Sequence, residues 1–187
     1  MSDFAILNEL IKASVQVPIQ LDQNQKRFFY LEEKQDNYGV TIRGISDETD
    51  IFVIDADQFP APKMFFQGSR GECKRADFIV ITRNSLGNFI IIIEMKAGSG
   101  DNPSIQQQLK GSQCLATYIQ NIGQIFWKES SFLAHYVYRF VSLKNMKINK
   151  KTRYNPKSFP LHDSPEHCLQ ISPGQSLQLK QLITVGR

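Results

Sequence analysis

Residues 76–96, ADFIVITRNSLGNFIIIIEMK, decide how the rest of the chain is read. Two apolar runs, Phe78–Ile81 and Phe89–Ile93, flank the polar link Arg83–Asn88, whose Asn and Gly suit a tight reversal. The expectation is a β-hairpin symmetric about the Ser85–Leu86 step. In that register Thr82 faces Phe89, and Asp77 faces Glu94. Side chains alternate along a strand, so Lys96 emerges on the face of Glu94 and Met95 on the opposite one.

Carboxylates opposite each other on paired strands repel. Here they close a run so apolar that the strand is expected to be covered on both faces. A divalent cation between them removes the conflict. Oxygen ligands of this kind suit Mg²⁺, or Mn²⁺, with room left for water and phosphate. Lys96 could then orient or help deprotonate an attacking water, or stabilise charge on a phosphate. The chemistry this points to is metal-assisted hydrolysis of a phosphodiester. The plainer reading makes the same three residues the polar cap of a buried hairpin.

Asp77, the hairpin, and then Glu94-Met95-Lys96 resemble the PD-(D/E)XK, or restriction-endonuclease-like, nuclease superfamily. Its pattern is an acid at the start of one strand and acid-x-Lys at the end of the next. Ala76 stands where that pattern often has proline. The resemblance covers residues 75–120 well and the remainder only by general shape. It implies an α/β fold, a mixed β-sheet of about four or five strands flanked by helices. It further implies a Mg²⁺- or Mn²⁺-dependent nuclease acting on DNA, with Asp77, Glu94 and the Met95 carbonyl as metal ligands and Lys96 as the catalytic lysine. In several families of the superfamily a helical Gln after the lysine serves the site, a role that falls here on Gln108. Some families add an acid from an early helix, for which Glu9 is the counterpart. By the same analogy the chain could be an effector nuclease of a bacterial defence system or a junction or repair nuclease, its specificity supplied by oligomerisation or a partner subunit. The rival reading is a nucleic-acid-binding or assembly subunit that keeps the fold without the chemistry.

The 187 residues suit one domain with a real core, and 41% apolar content with thirteen Phe supports a globular fold. A net charge of +4 and a pI near 8.9 are compatible with a polyanionic partner. Cys73, Cys114 and Cys168 are scattered and odd in number, which argues against a disulfide framework or a structural zinc site. No apolar run approaches a bilayer span, and no secretory signal stands at the N-terminus, so a cytoplasmic protein with no membrane partner is expected.

In chain order, residues 3–14 predict an amphipathic helix capped by Ser2 or Asp3, with Glu9 on its polar arc. Residues 18–37 suggest a second short helix around Arg27–Leu31. Val40–Arg43 and Ile51–Ile54 predict strands, and Asp55 and Asp57 after the second are rival metal ligands with nothing nearby in sequence to complete a site. Arg70, Lys74 and Arg75 precede Asp77. They either neutralise a scissile phosphate or form a basic surface loop. Ser104 and Gln107 suggest the capped start of a helix running to about Asn121. Its apolar arc includes Ile105, Leu109, Leu115, Ala116 and Ile119, with Gln108 as a polar intruder that needs a partner: the site, or a backbone group. Gly111 and Ser112 would let this helix approach the sheet closely.

Phe132–Leu143 predicts a last core strand with His135 near its start. From about residue 144 a basic, proline-containing C-terminal extension follows. Residues 144–157 hold six positive side chains and no acid. Lys147, Lys150, Lys151 and Arg153 there, with Tyr154 among them, either follow a nucleic-acid backbone or form a solvated tail. An irregular region is expected to run on to Ser172-Pro173, which suggests the cap of a final short helix.

Overall fold

The computed structural model describes residues 1–34, 38–96, 101–144, 160–172 and 174–185. Among them lie three α-helices and nine strands in two mixed sheets, a mixed α/β architecture. The elements run α1 (Asp3–Leu10), β1 (Gln20–Leu21), β2 (Arg27–Glu33), β3 (Tyr38–Ile45), β4 (Asp50–Asp55), β5 (Phe78–Asn84) and β6 (Gly87–Lys96). They continue with α2 (Asn102–Phe126), β7 (Val137–Lys144), β8 (Leu169–Ile171), β9 (Ser176–Gln178) and α3 (Leu179–Ile183).

The larger sheet has the order β4-β5-β6-β7-β8. β4, β5 and β6 pair antiparallel, whereas β6–β7 and β7–β8 are parallel. The change of sense follows from the connection, since α2 carries the chain over one face and back to the starting edge. The hairpin has the expected register, with Thr82 opposite Phe89 and Phe78 opposite Ile93. Its two-residue turn, Ser85-Leu86, lies between the paired Asn84 and Gly87. Asn84 Oδ1 accepts the Leu86 N–H at 2.8 Å, and Gly87 adopts φ 133°, a conformation that favours glycine.

Alternation sends the two faces of the hairpin into separate cores. Ile79, Ile81, Ile90 and Ile92 pack with Ile6 and Leu7 of α1 and Ile105 and Leu109 of α2. Val80, Ile91, Ile93 and Met95 pack with Phe29, Leu31, Val40 and Ile42 of the smaller sheet and Leu182 of α3. Each such side chain, fully withdrawn from water, contributes about 1.5–3 kcal/mol, which is why the five-residue apolar run is covered on both sides.

The smaller sheet, order β1-β2-β3-β9, corrects the expectation of a helix within residues 18–37. Phe29 and Leu31 are buried while Tyr30 and Glu32 are exposed, a period of two that suits a strand against a core. α1 is capped by Ser2 Oγ as expected but stops at Leu10, because Ile11 turns extended. α2 begins one turn's reach earlier than expected: Asp101, not Ser104, is its cap, accepting the Ser104 N–H at 3.3 Å, and Pro103 sits in the first turn. β7 starts at Val137, and Phe132 and Leu133 enter the α2 core from a turn that leaves His135 exposed and outside the strand. The C-terminal region contributes an edge strand to each sheet, and α3 is capped by Gln178 through a reciprocal box with Gln181. Pro173 lies outside the described residues. Among the described residues no helix is long and apolar enough to cross a membrane.

Candidate active site

The hairpin's last residues stand at the end of β6, on the face that α2 covers. Glu94 follows Ile90 and Ile92 on that face and is fully buried, and Asp77, just before β5, is only 8% exposed. Asp77 is fixed by backbone: its Oδ2 accepts the Met95 N–H at 2.6 Å, and its carbonyl accepts the Ala56 N–H at 2.8 Å. The Lys96 ammonium is ion-paired with Glu94 Oε1. Glu94 Oε2 has no hydrogen-bond partner among the described residues. Met95 turns its side chain to the other core, so only its backbone borders Asp77.

The helix is held close to this corner by small residues. A Cβ on Gly111 would lie 1.7 Å from the Lys74 carbonyl oxygen, so only glycine lets α2 seat there. One turn-position on, Ser112 Oγ accepts the Ala76 N–H at 2.8 Å and lies 3.2 Å from the Ala76 carbonyl, to which it donates. Both backbone groups of the residue preceding Asp77 are thereby clamped.

Burial dominates the electrostatics. It pushes the Asp77 carboxyl up to about 7, opposed by the Met95 N–H and reinforced by Glu33. Burial and then the Asp77 charge push Glu94 up to about 8, with Lys96 pulling the other way. For Lys96, burial lowers the pKa, but Glu94, Asp77 and Glu33 outweigh it and hold the ammonium above its ordinary value. Without a cation, two carboxylates here resist ionising together.

The remaining expected residues divide. Gln108 lies on the α2 face with its Oε1 buried and, among the described residues, without a hydrogen-bond partner, so that oxygen receives no hydrogen bond from Lys96. Asp55 and Asp57, which nothing in sequence joined to a site, line a cavity of about 180 Å³ together with Asp77, Glu32 and Glu33. Glu9 is excluded from the site: its Oε2 accepts the Trp127 Nε1–H at 2.9 Å, at the far end of α2. Lys74 and Arg75 act first as braces. Lys74 Nζ donates to Gln107 Oε1 at 2.8 Å, and Arg75 Nε donates to the Ala56 carbonyl at 3.0 Å. Arg70 is exposed, and Glu72 accepts the N–H groups of Gly68 and Arg70, each at 2.8 Å. His162 lies with its ring nitrogens 3.1 and 3.0 Å from the Pro160 and Leu182 carbonyls. Lys147, Lys150, Lys151, Arg153 and Tyr154 lie outside the described residues.

Three neighbours of the site were not singled out by sequence reasoning. Ser142 and Lys144 of β7 stand beside Glu94 and Lys96 in the parallel register. Ser142 Oγ is buried and without a hydrogen-bond partner among the described residues, and Lys144 Nζ donates to Asn102 Oδ1 at 3.4 Å. A parallel alignment of the two apolar strands would have found them. Glu33 reaches the cavity from the smaller sheet, and no local signal links it to Asp77.

Among the described residues no three His, Cys, Asp or Glu side chains form a metal-binding group. The donors at the corner are oxygens: two carboxylates and nearby backbone. That set fits Mg²⁺, which takes one or two carboxylates and keeps several waters. Comparison with family models, with curated proteins and with solved structures returned no match.

Proposed function

We propose that this protein is a divalent-metal-dependent nuclease with a restriction-endonuclease-like core, hydrolysing phosphodiester bonds in DNA. The observation that carries the reading is the buried Asp77–Glu94 pair with Lys96 on the same face. Glu94 Oε2, Gln108 Oε1 and Ser142 Oγ are all buried without hydrogen-bond partners among the described residues, and Glu94 and Ser142 are neighbours in register. Buried polar groups are normally satisfied, and unsatisfied ones cost about 1–3 kcal/mol each. Glu94 and Ser142 lie near the C-terminal ends of the parallel strands β6 and β7, where open α/β sheets place their ligands, and this favours a bound cation and water over a merely structural cap. Within the larger sheet the order α1-β4-β5-β6-α2-β7 and the count of five strands suit the α/β core that the resemblance implies.

Asp77, Glu94 and the Met95 carbonyl would hold Mg²⁺ or Mn²⁺. The ion, when bound, supplies Lewis acidity and neutralises charge at the scissile phosphate. Lys96, kept as an ammonium by its acidic neighbours, donates hydrogen bonds that orient the attacking water and offset charge on the phosphate. Gln108 offers its buried Oε1 to the same water. Ser112 and Gly111 fix the backbone from which Asp77 projects.

The test is cleavage of supercoiled plasmid, single-stranded DNA and RNA by the purified chain in Mg²⁺ or Mn²⁺. Lys96→Ala and Glu94→Gln should each lower the rate at least about a hundredfold. Full activity in both variants would overturn the mechanism. Salt-sensitive nucleic-acid binding without cleavage by the unmodified chain would instead identify a non-catalytic binding subunit.

A further inference from the structure

Asp55 and Phe78 pair across β4 and β5, so the chain between them leaves and returns at the edge of the candidate site. Its returning limb is braced against α2 by Ser112, by the Lys74–Gln107 bond and by the close seat at Gly111. Its tip is braced too. The Pro62 carbonyl accepts the N–H groups of Phe65 and Phe66 at 3.0 and 2.9 Å, and the Cys73 thiol donates to the Phe66 carbonyl at 3.8 Å. This ordered turn nevertheless holds large apolar groups in water: Met64 is fully exposed, Phe65 is 84% exposed and Phe66 49%. The two rings meet edge to face, with centroids 5.0 Å apart.

Charge sets the kind of partner. Lys63, two residues before Phe65, and Arg70, four residues after Phe66, are exposed. Of the excursion's three acids, Asp77 belongs to the candidate site, Glu72 is engaged by backbone N–H groups, and Asp57 by Arg75 at 3.8 Å. Aromatic faces flanked by cations complement a polyanion that carries flat, unstacked rings. A duplex keeps its bases stacked inside and offers such a surface little.

We infer that the Phe65–Phe66 turn is a stacking platform for an unpaired base of a DNA strand whose neighbouring phosphodiester is presented to Asp77 and Glu94. This rests on the nuclease reading and deepens it: the substrate is single-stranded or locally unpaired DNA. Phe65 stacks on the base, Phe66 holds its ring edge-on behind it, and Lys63 and Arg70 meet the flanking phosphates.

The experiment uses a single-stranded oligonucleotide with a central 2-aminopurine and the same sequence as a hairpin duplex. Both are titrated with the full chain in the Lys96→Ala background, without cleavage. The single strand should bind more tightly, with its 2-aminopurine fluorescence quenched by stacking. Phe65→Ala and Phe65→Leu should each lose about tenfold of the single-strand preference together with the quench, and Phe65→Trp should retain both. An unchanged preference in Phe65→Ala, or binding without quenching, overturns the platform. So does a concentration-dependent dimer that Phe65→Ala abolishes while the preference stays, since the turn would then serve a second copy of the chain. If the unmodified protein still cuts plasmid in any of these cases, only the platform falls. If it neither cuts nor binds nucleic acid, the nuclease reading falls with it.

Discussion

Raising the pH of the metal-free protein should destabilise it, because burial raises the pKa values of the site's carboxyls. Asp77 moves from 3.8 to about 7 and Glu94 from 4.5 to about 8. Both folded values lie above the unfolded ones, so the folded state binds protons more tightly. The associated stability is fully present below about pH 4 and is lost as pH rises through about 7 to 8. Lys96 neutralises one negative charge, so the pair is counted as a single carboxyl forced to ionise. At about 1.4 kcal/mol per pKa unit, that amounts to about 4 kcal/mol. For a chain of this size each kcal/mol moves Tm by roughly 2–4 °C, so Tm should fall by about 8–16 °C between about pH 5 and about pH 9. Thermal unfolding in the presence of a chelator measures this, with Glu94→Gln as the reference that lacks one titrating group. Glu94→Gln should show a much flatter profile. Added Mg²⁺ or Mn²⁺ should restore Tm at high pH and do little at low pH, because only ionised carboxylates hold the ion. Parallel pH profiles for the two proteins, or a metal effect confined to low pH, would refute the electrostatic account of the corner.

Gly111→Ala should destabilise the fold by about 3 kcal/mol, read from chemical denaturation, because its Cβ would sit 1.7 Å from the Lys74 carbonyl oxygen and neither helix nor loop backbone can yield cheaply. Stability within about 0.5 kcal/mol of the parent would mean that α2 has room to slide. Gln108→Met removes a buried, unpartnered oxygen, so the metal-free variant should be more stable by about 1 kcal/mol while DNA cleavage slows. A loss of stability would show that the Gln108 amide is satisfied in the folded chain.

Residues 76–96 carried their own register. Period-two alternation, a polar reversal and a two-residue turn were enough to place Thr82 against Phe89 and to put Glu94 and Lys96 on one face. The Gly111-Ser112 step likewise announced a close approach, and both residues seat against the loop before Asp77. Such features are local: they depend on side-chain spacing along one strand or one helix, which the chain order fixes.

What lay beyond reach were partners brought from far along the chain. Arg27–Glu33 is too short and mixed to reveal its strand; pairing with β3 and burial of Phe29 and Leu31 decide it, and only then does Glu33 come to border Asp77. Ser142 beside Glu94 depends on how far α2 carries the chain before β7 joins β6 in parallel. Lys74 and Arg75 looked like free cations in sequence, yet Gln107 and the Ala56 carbonyl bind them. The sequence by itself determined which face each hairpin side chain occupies, because backbone pleating allows only two. Tertiary structure alone decided which distant groups share that face, because sheet order and helix packing are settled by the whole core.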